Sequence, residues 1–173
     1  MRKLLIVIDM QNDFIDAALG TPEAVSIVEA VKDKIRSYPV QDVIATMDTH
    51  GENYMDTQEG RYLPVPHCIR GSEGWQIRPD IAALLDGAKI YEKPTFGSTA
   101  LAADLKELSE QEEIEIELIG LCTDICVVSN ALIIKAAMPE VPVSVDASCC
   151  AGVTPASHQA ALETMKMCQV AVK

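Results

Sequence analysis

The sequence has few aromatic residues and little positive charge. Its 173 residues include only one Trp, four Tyr and two Phe, and 14 Lys and Arg stand against 26 Asp and Glu, for a net charge of −12 at pH 7. A chain this acidic, with no cluster of Lys or Arg, repels phosphate backbones and anionic membrane surfaces. We therefore expect neither a nucleic acid nor a membrane as a partner.

Long apolar runs are absent too, since none approaches the roughly 18 residues that a membrane-spanning helix needs. Behind Met1–Lys3, the apolar run Leu4–Ile8 stops at Asp9, which leaves it shorter than the ~7–15 residues of a secretory signal. We interpret this run as a buried strand and expect a cytoplasmic location. The hydrophobic fraction of 49% and the charged fraction of 23% are typical of a globular protein.

Two kinds of apolar pattern alternate along the chain. Short apolar runs indicate strands at residues 4–8, 43–46, 90–91, 114–118, 143–145 and 170–172. Between them, helical spacing predicts one helix from Thr21-Pro22 to about residue 35, others from Ser98 and Thr154-Pro155, and a wholly buried helix over 124–138. Residues 49–75 show neither period, and a loop of that length is usually functional. The alternation predicts an α/β fold, namely a single Rossmann-like three-layer domain over residues 1–173, with a mostly parallel, roughly six-stranded sheet and helices on both faces.

Ligand sites in such sheets lie beyond the carboxyl ends of the strands, so the residues there are the functional candidates. Asp9 follows the first strand, Lys93 ends the third, and Cys126 lies shortly after the fourth. Cys126 is the candidate nucleophile, because the start of a helix capped by Thr123 or Asp124 would favour the thiolate and lower the pKa of the thiol. Its position alone leaves open that Cys126 is a packing residue.

Four motifs occur in order at these strand ends. They are Ile8-Asp9-Met10-Gln11-Asn12-Asp13-Phe14, Asp48-Thr49-His50, Glu92-Lys93-Pro94 with Phe96-Gly97-Ser98-Thr99, and Gly120-Leu121-Cys122-Thr123-Asp124-Ile125-Cys126-Val127. With this ordered set the sequence resembles the isochorismatase-like cysteine hydrolases and, within them, the nicotinamidase/pyrazinamidase branch.

The resemblance implies hydrolysis of a small amide through a thioester. It assigns the general base to Asp9, the neighbouring cation to Lys93 and the nucleophile to Cys126. A carboxylate beside a thiol can take its proton and later pass it to departing ammonia. The resemblance also implies a cis peptide bond between Leu121 and Cys122, and an oxyanion hole made by the backbone N–H groups of Cys122 and Cys126.

The long loop carries a second constellation, with the chemistry of a metal site. Asp48 and His50 project to the same side of their strand end, and a carboxylate with an imidazole suits a divalent transition metal. The resemblance adds His67 and one further ligand. Since no other His lies between His50 and His67, we predict Glu59 in that place, with Asp56 in reserve. The expected metal is zinc, with iron or manganese as alternatives.

In proteins of this kind the metal binds the pyridine nitrogen of the substrate, and Phe14 and Tyr62 are candidate walls for its ring. We therefore expect an enzyme that converts nicotinamide to nicotinate and ammonia, as in NAD salvage, with a small-molecule amide as its partner and a homo-oligomeric state. His158 is interpreted as structural. Two alternatives remain: an amidase of carbamoyl or ureido compounds, which need not keep the metal, and a non-catalytic redox or binding module using Cys122 and Cys126.

Overall fold

Six parallel strands form one sheet in the order β3-β2-β1-β4-β5-β6. The computed structural model describes residues 1–173. The strands are β1 (Arg2–Ile8), β2 (Val43–Asp48), β3 (Lys89–Lys93), β4 (Ile114–Leu121), β5 (Val143–Ala151) and β6 (Ala171–Val172). This is the strand order of a doubly wound Rossmann-type sheet. The predicted α/β class is confirmed, and the sheet is parallel throughout.

Helices cover both faces of the sheet. They are α1 (Asn12–Ile15), α2 (Pro22–Ser26), α3 (Val28–Arg36), α4 (Gln58–Tyr62), α5 (Pro79–Ala82), α6 (Thr99–Ser109), α7 (Val128–Ala137) and α8 (Pro155–Met167). Residues of α1, α2, α3 and α5 share one apolar core with the sheet, and residues of α6, α7 and α8 share the other. No helix combines the length and the apolar character that crossing a membrane requires.

The central strand β1 shows why the first apolar run is continuous. Leu5 and Val7 lie in one core cluster, whereas Leu4, Ile6 and Ile8 lie in the other. Successive side chains of a strand point to opposite faces, so a strand covered on both faces must be apolar at every position.

The predicted helix starts are confirmed by their hydrogen bonds. The Thr21 hydroxyl accepts from the Ala24 N–H at 3.0 Å, and the Ser98 hydroxyl accepts from the Leu101 N–H at 3.1 Å. Thr154 forms a capping box with Ser157. These side chains satisfy N–H groups that the helix itself leaves free.

Three local expectations were wrong. The helix after Thr21 is broken at Ile27 into α2 and α3, and next to the break the Ser26 hydroxyl donates back to the Glu23 carbonyl at 2.7 Å, a bond that often bends helices. The loop over residues 49–75 contains a short 3₁₀ turn (Tyr54–Asp56) and α4. The helix predicted over 124–138 is α7, and it is not wholly buried, since its apolar residue Leu132 is only half-buried.

Candidate active site

The carboxyl ends of four strands bring the predicted residues together. Asp9 directly follows β1, Asp48 and Lys93 end β2 and β3 as register partners, and Cys126 lies in the turn after β4. The strand order reverses between β1 and β4, which is where doubly wound sheets bind their ligands. Gly120, with φ of +117°, lies so close to the Ile8 carbonyl that a Cβ atom would overlap it.

The ammonium group of Lys93 is the centre of the site. Its side chain is only 1% exposed, and Nζ lies 2.6 Å from Asp9 Oδ2, 3.4 Å from Asp48 Oδ1 and 3.3 Å from Cys126 Sγ. Nζ also donates to the Thr95 carbonyl at 3.1 Å. A buried ammonium requires such partners, because an uncompensated charge in the protein interior is costly.

Thr46 fixes the carboxylate of Asp9. The Thr46 hydroxyl donates to Asp9 Oδ1 at 2.6 Å, and the Asp9 N–H donates to the Thr46 carbonyl at 3.2 Å. Asp9 has φ of +47°, a conformation that few residues other than glycine adopt and that Asp tolerates comparatively well. Both residues are fully buried. Thr46 was not among the residues predicted from the sequence, although its place two residues before Asp48 puts it on the same face of β2.

The expectation of a lowered pKa for Cys126 was wrong. Burial, followed by the negative charge of Asp9, raises the pKa of this thiol well above its ordinary value, and the charge of Lys93 opposes that shift. Burial also raises the pKa of Asp9, against the lowering effect of Lys93. Burial alone would lower the pKa of Lys93, but Asp9, Cys126 and Asp48 together raise it. The site therefore holds a thiol with a raised pKa beside the close pair formed by the Lys93 ammonium group and the Asp9 carboxyl group.

The turn after β4 differs from the predicted helix start. Cys126 lies in a π-helical turn (Thr123–Val127) that precedes α7, and the residue before this turn, Cys122, makes no side-chain capping bond. The predicted caps are engaged elsewhere. Thr123 Oγ1 lies 2.7 Å from His158 Nδ1, and the Asp124 carboxylate accepts from the Val153 N–H at 3.1 Å.

The backbone around Cys122 carries a free donor. The peptide bond between Leu121 and Cys122 is cis, as the resemblance implied. The Cys122 N–H has no hydrogen-bond partner within the protein, and Cys122 lines the same cavity as Cys126. This N–H is available to a bound molecule.

The four predicted metal ligands form a second cluster beside Lys93. Asp48 Oδ2 lies 3.0 Å from His50 Nε2 and 3.6 Å from His67 Nε2, and Glu59 Oε1 lies 3.6 Å and 3.7 Å from the same two nitrogens. All four donor atoms lie within 4.8 Å of one another. Two imidazoles and two carboxylates converging in this way fit a divalent transition metal in number and chemistry. The reserve candidate Asp56 is not among them.

Groups outside this cluster orient the ligands. His67 Nδ1 donates to the Val65 carbonyl at 2.9 Å, which turns Nε2 toward the other donors. The Gln11 side chain accepts from the Asp48 N–H at 2.7 Å and donates to the Asp48 carbonyl at 2.8 Å, so it holds the backbone of that ligand from both sides. Gln11 belongs to the first motif, but its role is visible only in three dimensions.

Both clusters open into one cavity of about 640 Å³. Phe14 and Tyr62, the predicted ring walls, line it. Phe14 is buried, with its ring centroid 5.5 Å from that of His67, whereas Tyr62 is 85% exposed at the mouth. Phe96, which the sequence analysis did not assign to a site, also lines the cavity.

The structure thus combines a doubly wound parallel sheet with an acid, a lysine and a thiol at its strand ends. Comparison with known proteins gives the family. The isochorismatase domain matches residues 3–172, and the chain belongs to the isochorismatase family.

Individual relatives agree with this assignment. An uncharacterised isochorismatase family protein of Bacillus subtilis is 32% identical over 143 residues, covering 76% of this chain and 78% of that protein. A nicotinamidase/pyrazinamidase of Bacillus subtilis superposes with a TM-score of 0.83 at 27% identity, over 99% of both chains. A pyrazinamidase of Pyrococcus horikoshii in complex with zinc superposes with a TM-score of 0.80 at 26% identity, over 100% of this chain and 99% of that one.

Proposed function

We propose that this protein hydrolyses nicotinamide to nicotinate and ammonia through a thioester on Cys126. The observation that carries the proposal is the contact of Lys93 Nζ with Asp9, Cys126 and Asp48 at once, because it joins a thiol and its base to the metal-type cluster in one cavity. The similar structures from Bacillus subtilis and Pyrococcus horikoshii, which are named for nicotinamidase and pyrazinamidase activity, support the choice of substrate.

The first half of the reaction forms the thioester. Asp9 takes the proton of the Cys126 thiol as the sulfur attacks the carboxamide carbon, and the charge of Lys93 stabilises the developing thiolate. The negative oxygen of the tetrahedral intermediate accepts from backbone N–H groups, including that of Cys122. Asp9 then returns the proton to the nitrogen, the C–N bond breaks, and ammonia leaves.

The second half hydrolyses the thioester. Asp9, again ionised, takes a proton from a water molecule that attacks the thioester carbon. The C–S bond breaks, and the proton passes from Asp9 back to the sulfur of Cys126. The acid is released, so one amide and one water yield one acid and one ammonia, and the protein returns to its starting state.

We assign the four-donor cluster to a divalent metal, with zinc as the first choice. The ion would be held by Asp48, His50, Glu59 and His67, and it would act as a Lewis acid toward the ring nitrogen of the substrate and so fix its orientation. The donor chemistry and the zinc complex of the Pyrococcus horikoshii pyrazinamidase support this choice. The chain's own contribution is to orient the donors through Gln11 and the Val65 carbonyl.

The proposal also covers the domain organisation, the location, the metabolic role and the oligomeric state. We take residues 1–173 as one hydrolase domain, supported by the single sheet and by the family match over 3–172. We also propose that the protein acts in the cytoplasm, in NAD salvage, and as a homo-oligomer, for which the half-exposed apolar side of α7 offers a surface.

Ammonia release from nicotinamide, pyrazinamide and a set of ureido and carbamoyl compounds tests the proposal. We expect turnover of the two ring amides by the metal-loaded protein and none of the ureido set. Preferential turnover of a ureido or carbamoyl compound would replace nicotinamidase activity with the alternative amidase activity. Absence of ammonia from every compound would contradict an amidase of either kind.

A further inference from the structure

The cavity has a buried inner half and a more exposed outer half. The inner half holds the ionisable side chains of Asp48, Glu59, His67 and Cys126, together with Phe14. The outer half is mainly apolar, with Leu19, Tyr62, Leu63, Phe96 and Ile125, and its polar members Gln58 and Thr95 carry no charge. No Lys or Arg lines the cavity, so the outer half offers no partner to an anionic group.

Aromatic side chains are concentrated at this cavity. Of the seven aromatic residues in the chain, Phe14, Tyr62 and Phe96 line it. Phe14 is buried, but Tyr62 is 85% exposed and Phe96 is 42% exposed. Apolar surface left in water forgoes the free energy of burial, and exposed aromatic side chains that line one cavity are candidates for contact with a ligand.

Both exposed aromatic residues are attached to elements that also carry ionisable residues of the inner half. Tyr62 lies three residues after Glu59 on α4, which puts the two on one side of that helix. The Phe96 carbonyl accepts from Asn130 Nδ2 at 3.1 Å, and the same amide donates to the Cys126 carbonyl at 2.8 Å. We call Tyr62, Leu63 and Phe96 the rim of the cavity. The backbone of the rim is attached to the elements that carry Glu59 and Cys126, and a backbone that is already ordered lowers the entropic cost of binding.

Nicotinamide alone is too small to use this surface. It is a single six-membered ring with one carboxamide, whereas cavities of about 300–1,000 Å³ typically enclose drug-sized ligands, and this one measures about 640 Å³. The proposed function places the carboxamide at Cys126 and the ring nitrogen at the four-donor cluster. Tyr62, which the sequence predicted as a ring wall, is 85% exposed at the mouth, so it is placed to contact a group that extends outward from the ring.

We infer that the outer half of the cavity is a subsite for an uncharged apolar substituent on the ring, so that the enzyme acts on ring-substituted nicotinamides as well as on nicotinamide. This inference rests on the proposed function, because that function sets which end of the substrate faces Cys126. The substituent is carried by a ring carbon away from the nitrogen and packs against Tyr62, Leu63 and Phe96.

Binding and turnover are measured separately to test the subsite. Calorimetry on the metal-loaded Cys126→Ala protein gives Kd for nicotinamide and for its ring-methyl, ring-ethyl and ring-propyl derivatives, without hydrolysis. We expect Kd to fall about fourfold for each methylene that the rim buries, with an increasingly negative heat-capacity change. A hydroxyethyl derivative, matched in length to the propyl one, should lose most of this gain.

Variants of the rim residues show which side chains cause the tighter binding of the alkyl derivatives. In the Cys126→Ala background, Tyr62→Ser and Phe96→Ala should bring the affinity ratio of propyl derivative to nicotinamide toward one, whereas Met167→Ala, an exposed change on α8 outside the cavity, should leave the ratio unchanged. A Kd that stays constant or rises along the alkyl series, or a gain that survives both rim variants, overturns the subsite. Turnover by the wild-type protein judges the proposed function independently, since alkyl chains can tighten binding even where no ammonia is released.

Discussion

At the scale of single residues, the hydroxyl of Thr46 holds the carboxyl group of Asp9, the proposed base. It donates to Asp9 Oδ1 at 2.6 Å, and this bond lowers the pKa of Asp9 against the raising effect of burial. Thr46→Val keeps the shape and removes the donor. A hydrogen bond to a charged group contributes about 1.5–3 kcal/mol, so we expect kcat/KM for nicotinamide to fall by about ten- to a hundredfold.

The pH profile separates this role from a loss of packing. Without the Thr46 hydroxyl the pKa of Asp9 rises further, so the acidic limb of kcat/KM should move to higher pH. Thr46→Ser keeps the donor and should restore both the rate and the position of the limb. A Val variant with reduced activity and an unmoved acidic limb would show that Thr46 acts through packing alone.

The thiol of Cys126 gives a second prediction for one residue. Cys126→Ala should abolish ammonia release while circular dichroism and the melting temperature stay close to wild type, because the small side chain removes the nucleophile and little else. Cys168 is exposed and free, and Cys168→Ala is the matched control with expected full activity. Measurable turnover by the Cys126 variant would exclude the thioester route.

At the scale of elements, the apolar periodicity and the capping residues predicted the strands and helix starts that depend on local sequence. The apolar run Leu4–Ile8 and the caps at Thr21, Ser98 and Thr154 led to a strand and three helix starts that the structure contains. The π-helical turn around Cys126 could not be predicted in this way. Its sequence is compatible with an ordinary helix, and Thr123 and Asp124 contact partners more than 25 residues away.

The sequence predicted which side chains lie together at the candidate site, but it did not predict the direction of the pKa shift of Cys126. The ends of parallel strands meet at one edge, so the sequence placed Asp9, Asp48 and Lys93 together. The raised pKa of Cys126 follows from its full burial beside Asp9, and burial is a property of the packed molecule. The hydrogen bonds of Thr46 and Gln11 join residues 37 apart in sequence, so they depend on how β1 and β2 pack together, which motif spacing does not encode.

The loop between β2 and β3 holds three of the four proposed metal ligands, so we predict the effect of metal removal from it. It supplies His50, Glu59 and His67, and Asp48 ends the strand before it. A metal that orients the ring nitrogen matters to nicotinamide and not to benzamide, which lacks that nitrogen. Chelation should therefore raise KM for nicotinamide by tenfold or more and change benzamide kinetics much less, with metal content followed by mass spectrometry.

Variants of Glu59 and Asp56 test which acid is the fourth donor of the cluster. Glu59→Gln should lower the metal content and raise KM for nicotinamide, as should His50→Ala. Asp56→Asn is the matched control, since Asp56 lies three residues away and outside the cluster. Equal metal content in the Glu59 variant and wild type, with unchanged nicotinamide kinetics, would remove Glu59 from the ligand set.

At the scale of the whole molecule, a charged cluster joins α3 to the sheet. Glu117 on β4 accepts from the Tyr38 hydroxyl at 2.9 Å and from Lys173 at 2.9 Å, and Lys34 lies 3.3 Å away. Lys34 also pairs with Asp146 on β5 at 2.6 Å. The carboxylate of Glu117, whose side chain is 7% exposed, thus connects α3, the sheet and the residue after β6.

This cluster makes the free energy of unfolding depend on pH. Burial alone would raise the pKa of Glu117, but the hydrogen bonds from Lys173 and Tyr38 and the nearby lysines lower it below its ordinary value. The folded-state pKa therefore lies below that of the unfolded chain, about 4.3. Its contribution is fully present above that pH and is lost as the pH falls through the folded-state pKa.

Urea unfolding of Glu117→Gln tests this dependence. At pH 7 the variant should be less stable than wild type by about 1–3 kcal/mol, because Gln cannot compensate the charge of Lys34 and keeps fewer of the hydrogen bonds. At acid pH, as the pH falls through the lowered folded-state pKa, the wild-type carboxylate itself becomes protonated, so the difference should shrink. Glu107, an exposed residue of α6, gives the control Glu107→Gln with little change at either pH. If the loss for Glu117→Gln were the same at both pH values, its cause would be packing, and the ionised form of Glu117 would contribute nothing to the coupling of α3 with the sheet.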